Sequence, residues 1–130
     1  MKLESVQIDT QAQEEGEWRE HPYFDGVTVR VRGSSSEPVE KRRAALLNRQ
    51  PMRRRVKTGD AWLDGRRIEW LCTAECLLDV KGIDDVTYTA DIGREWAIDP
   101  RMRRFMEGAR ELADEIGVRE TEAHEEAVSD

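Results

Sequence analysis

The chain has 130 residues, 38% of them charged and 38% hydrophobic, with a formal charge of -7. That length fits one domain with a single core, and the low aromatic content makes the core thin relative to its charged surface. No window approaches the roughly 18 apolar residues needed to span a membrane, and the amino terminus lacks a signal peptide's apolar stretch, so the expected location is the cytoplasm.

Residues 1–16 read as a polar, acidic arm, either disordered or, as the alternation of Val6 and Ile8 favours, a short edge strand. From residue 17 a globular domain is expected to run to residue 117, with its β part at 17–33 and its helical part at 36–117. In "EWREHPYFDGVTVRVR", Val27, Val29 and Val31 alternate with polar residues, which marks a strand with one wet face. Trp18, Tyr23 and Phe24 are candidates to cover its apolar side in a hairpin or meander.

"GSSSEP" leads into a helix, with Ser35 or Ser36 as N-cap and Pro38 in the first turn; Pro51 stops it after about Gln50. Val39, Arg43, Leu46 and Leu47 lie on one side. A basic connector, "PMRRRVKTGD", follows, with Asp60 as a cap. The next helix is expected from about Arg66 to Lys81, with Ile68, Trp70, Leu71, Ala74, Leu77 and Leu78 on a broad apolar face and Gly82 as its left-handed stop.

"IDDV" turns the chain, and Thr89 caps a short helix from Ala90 to Ala97. Asp99 and Pro100 start a last helix on which Met102, Phe105, Met106, Ala109, Leu112, Ala113 and Ile116 follow the spacing of a buried face, and Gly117 ends it. That helix is expected to pack on the one bearing the cysteines. Residues 118–130 form an acidic tail. The fold class is therefore α+β, mainly α: a small N-terminal antiparallel hairpin or meander followed by a compact bundle of three to four helices.

No GxSxG, Walker or GxGxxG pattern is present, which points away from acyl or phosphoryl transfer. His21 and His124 lie in a loop and a tail at opposite ends of the chain and read as solvent-exposed polar residues. Cys72 and Cys76, four apart on a helix, read as buried packing residues in a reducing compartment, since structural zinc needs two further ligands. The acidic turn at Asp79, Asp84 and Asp85 does not keep the alternation of a calcium loop. No catalytic, cofactor or metal site is expected.

Charge is segregated: residues 1–40 carry -5, residues 41–67 carry +8 and residues 68–130 carry -10. The arginines Arg42, Arg43, Arg53, Arg54 and Arg55 lack the interleaved aromatics of single-strand binders. With acidic flanks on both sides they favour protein contact, self-association or internal neutralisation over nucleic acid. Two or three of the four tryptophans are expected in the core. Trp62, ahead of the well-formed part of its helix, is the candidate partner anchor.

The order of parts resembles the small tail assembly chaperones of tailed bacteriophages. The resemblance is carried by "GEW" (Gly16 to Trp18), "GVTVRVRG" (Gly26 to Gly33), "KRRAALLNR", "LLDVKGI" (Leu77 to Ile83) and "YTADIGREWAIDPRMRRFM". In that family a middle helix ends in a Trp-x-Gly-hydrophobic signature, followed by an acidic turn, a capped short helix and an Asp-Pro restart. Here Val80 stands where tryptophan is often found. The resemblance implies a non-enzymatic protein of the host cytoplasm that binds the tape measure protein, keeps its apolar helices soluble and recruits tail tube subunits. The alternatives are a small virion component, such as a head-tail or tail-completion protein, and a nucleic-acid-binding regulator using the arginine-rich segment.

Overall fold

A computed structural model describes residues 2–48 and 58–117, with backbone alone at residues 5 and 58–64. Arg53, Arg54, Arg55, His124 and the acidic tail lie outside the described residues, as does the side chain of Trp62. The fold is α+β and mainly helical, with one three-stranded antiparallel sheet among the described residues.

The first departure from the sequence expectation is at the arm. Instead of a strand, a 3-10 turn (Leu3–Val6) precedes a short helix, α1 (Thr10–Glu15), which is capped by Asp9 accepting from the Ala12 N–H. Val6 and Ile8 stay exposed, so their alternation has no sheet to serve. Gln13 of α1 is buried, and its side-chain amide donates to the Ile116 carbonyl. Asp9 N–H donates to Gly117 O, tying the arm to the far end of the domain.

Gly16, at φ +75°, redirects the chain into β1 (Glu17–Glu20), which pairs with β2 (Thr28–Val31). Val29 and Val31 are fully buried, as their alternation requires. Helix α2 (Glu37–Asn48) follows. Ser36 precedes it as expected, yet its hydroxyl turns back to donate to Gly33 O.

The second departure concerns the middle helix. α3 (Thr58–Cys76) ends five residues before Lys81, and Leu77–Lys81 form the third strand, β3, beside β2. The reason is tertiary: Arg32 N–H donates to Cys76 O, and the strand register that follows buries Leu77 and Val80 on the face shared with Val29 and Val31. Gly82 does adopt a positive φ of +100°. It closes a strand, however, and any side chain there would run into the Gly26 carbonyl.

α4 (Ala90–Ile98) begins where Thr89 accepts from the Ile92 N–H. Asp99 caps the 3-10 turn Pro100–Met102 that opens α5 (Arg103–Glu115), and Gly117 follows at φ +79°. The main core joins the inner face of the sheet to Phe105, Met106, Ala109, Leu112 and Ile116 of α5 and Ala97 of α4. A second cluster packs Val39, Ile68, Cys72, Cys76 and Ala113, so the last helix does lie on the cysteine-bearing one. Trp70 and Trp96 are half-buried against the main core.

Candidate functional site

The connection from β1 to β2 folds over the start of α5, and His21 fastens it there. The ring is buried, stacks on Phe105 with centroids 4.8 Å apart, and lies 5.1 Å from the ring of Phe24. This corrects the reading of His21 as an exposed polar residue. Gly108 makes the burial possible, because a methyl group at that point of α5 would strike the imidazole.

The two ring nitrogens have opposite roles. The Phe105 carbonyl can only accept, so Nε2, at 2.9 Å, carries the proton; the Tyr23 N–H can only donate, so Nδ1, at 3.1 Å, presents its lone pair. Burial pushes the imidazole below its ordinary pKa. The neutral ring satisfies both partners, whereas an imidazolium could not accept from Tyr23. With both nitrogens occupied, His21 is a clamp and has no free lone pair for general-base work.

Beside this clamp a groove of about 490 Å³ opens between Phe24, Val27, Ile83, Met102 and Phe105, with Asp25 and Arg101 at its rim. Phe24 is 41% exposed, an unusual position for a ring that is held from behind by His21 and Phe105. Trp96 meets Phe105 edge-on at 5.2 Å and tilts against Tyr88, which extends the aromatic layer inward. On the outer side, Arg104 covers the Tyr23 ring at 3.6 Å, and the Tyr23 hydroxyl donates to Glu111. The groove is thus an apolar slot with a charged border.

Of the candidate partner-binding arginines, Arg42 and Arg43 lie in α2, away from the groove. Arg43 contacts Glu40 at 2.7 Å and the Glu69 carboxylate at 3.1 and 3.2 Å through two of its nitrogens. Arg110 reaches Glu69 at 3.4 Å and Asp114 at 3.0 Å, so two helices are joined to α3 through one carboxylate. The hydrogen bond from Arg43 holds Glu69 below the usual carboxylate range. Part of the basic segment is therefore neutralised internally. Arg42 is half-buried near the Cys72 end of α3.

Burial pushes the Cys72 thiol up and the Cys76 thiol up to about 12, so both stay protonated and poorly nucleophilic. Both are free thiols. Among the described residues no group of three or more His, Cys, Asp or Glu is arranged to hold a metal ion, and no helix is long and apolar enough to cross a membrane.

The groove escaped sequence reasoning because its residues come from three separate segments. The local signal was "HPYF", whose aromatic density exceeds what a solvent-exposed turn requires. No family model, curated protein or solved structure matches the chain.

Proposed function

We propose that this chain is a non-enzymatic tail assembly chaperone of a tailed bacteriophage, working in the host cytoplasm, that binds the tape measure protein and helps recruit tail tube subunits. The observation that carries the reading is the apolar groove with Phe24 at its edge, which fits the apolar face of a partner helix. The order of sequence motifs from Gly16 to Ile116 supports it, although Leu77–Lys81, matched to the end of the family's middle helix, form a strand here. The chemistry of the described residues agrees in character: the buried histidine is spent on clamping a loop, and both thiols are held protonated.

Coexpression with the tape measure protein of the same genome tests the proposal. The partner is expected to stay soluble and to copurify with the wild-type chain. It should be lost with Phe24→Asp or Met102→Asp, whose side chains lie at the surface of the groove. A folded wild-type chain that retains none of the partner overturns the reading, and retention unaffected by both substitutions moves the contact away from the groove. A virion component is the second reading, favoured by the outer side of β1, which no described strand covers. Stoichiometric copies in purified particles would select it.

A further inference from the structure

From the register and charge pattern of the edge strand, we infer that β1 is a homodimerisation edge, pairing antiparallel with β1 of a second copy about a two-fold axis at Trp18. Among the described residues the sheet order β1-β2-β3 leaves β1 with one unpaired side. His21 N–H donates to Val27 O, and the register continues through Arg19 opposite Val29 and Glu17 opposite Val31. In an antiparallel ladder this parity turns the peptide groups of residues 17, 19 and 21 toward β2. Those of Trp18 and Glu20 point out of the sheet, ready to bond another strand.

The side chains select which strand that is. Glu17 and Arg19 share one face of the sheet and Trp18 lies on the other, opposite Arg30. Charges along an edge discourage pairing with arbitrary strands. Here they alternate in sign about Trp18. A two-fold axis through that residue sets Glu17 opposite Arg19 of the second copy, Arg19 opposite its Glu17, and the two Trp18 backbones in a pair that exchanges both hydrogen bonds. Shifting the register by two residues sets Glu17 against Glu17 or Arg19 against Arg19, so the charge pattern admits one alignment.

Within one chain Arg19 contacts Glu17 at 2.6 Å while both side chains remain partly exposed, at 30% and 43%. The exchange across the axis keeps each charge partnered, replacing the two intrachain pairs with two cross-strand ones. Trp18 is 41% exposed, with Lys81 over its ring at 4.2 Å, and the pairing would bury that indole against its counterpart. The product is a continuous six-stranded sheet with β3 at both ends. None of the residues lining the Phe24 groove belongs to β1, so this proposal stands or falls separately from tape measure binding.

Sedimentation equilibrium of the full chain over a range of concentrations reads the association. Wild type is expected as a concentration-dependent dimer. Arg19→Glu alone and Glu17→Arg alone each make the edge like-charged and should weaken dimerisation about tenfold or more. Mixed together these two variants should form a heterodimer, and the swapped double variant, Glu17→Arg with Arg19→Glu, should dimerise like wild type. The rescue arms separate lost pairing from lost folding, with circular dichroism as a check on each variant. A wild-type chain that is monomeric throughout, or an oligomer indifferent to both single substitutions, or single variants that do not combine, overturns the inference.

Discussion

Replacing His21 by alanine removes the clamp between the β1–β2 connection and α5, and the structure sets the size of the loss. Two hydrogen bonds go, each contributing about 1 kcal/mol, and the buried ring stacked on Phe105 contributes about 1 kcal/mol more. The sum, about 3 kcal/mol, corresponds to a fall in Tm of roughly 10–15 °C for a domain of this size.

The loss depends on pH in a definite direction. Because burial lowers the folded pKa below 6.5, the unfolded chain binds the proton more readily. The stability owed to neutral His21 is therefore complete above about pH 6.5 and declines as pH falls toward the folded pKa, by at most about 1.4 kcal/mol per pH unit. Urea unfolding of wild type and His21→Ala between about pH 8 and 5.5 should give a gap that narrows below pH 6.5. Glu69, whose pKa is also lowered, loses its contribution only below the ordinary carboxylate range and in both proteins alike. His124→Gln serves as a control for the other histidine and should leave the narrowing intact. A gap constant over that range, or an NMR titration placing His21 at or above 6.5, would refute the reasoning.

Gly108→Ala gains helix propensity but drives a methyl into the imidazole, so chemical denaturation should reveal a net loss of about 2 kcal/mol; any stabilisation would mean that the ring is not seated there. Glu69→Ala strips Arg43 and Arg110 of their shared acceptor and should cost about 1 kcal/mol, small because the carboxylate is half exposed; an unchanged urea midpoint would assign the network no stabilising role. Cys76, buried and pushed up to about 12, should resist thiol reagents at neutral pH until the chain unfolds, and rapid modification of the native protein detected by mass spectrometry would contradict its placement.

The last helix was legible because every cue in it agrees. Asp99 and Pro100 set its start, a 3.6-residue apolar stripe sets its buried face and Gly117 sets its end. β2 was legible for the same reason, with valines alternating at period two. Leu77–Lys81 misled because Leu77 and Leu78 also continue the helical rows begun by Leu71 and Ala74. The choice between helix and strand was made by the open side of β2 and the bond from Arg32 to Cys76, neither of which is local. α1 did carry a signal, Asp9 as a cap and Gly16 as a stop around helix-forming residues, which the alternation of Val6 and Ile8 obscured. The clamp at His21 depends on Phe105 and Gly108, more than eighty residues away along the chain. No spacing rule reaches that far.

The central claim is that the Phe24 groove receives an apolar helix of the tape measure protein, and amide hydrogen exchange of the complex against the free chain tests it most directly. Binding there should slow exchange in residues 22–27 and 101–106 and leave β3 unchanged. Protection confined to other segments, or no protection by a partner that demonstrably binds, would contradict the account.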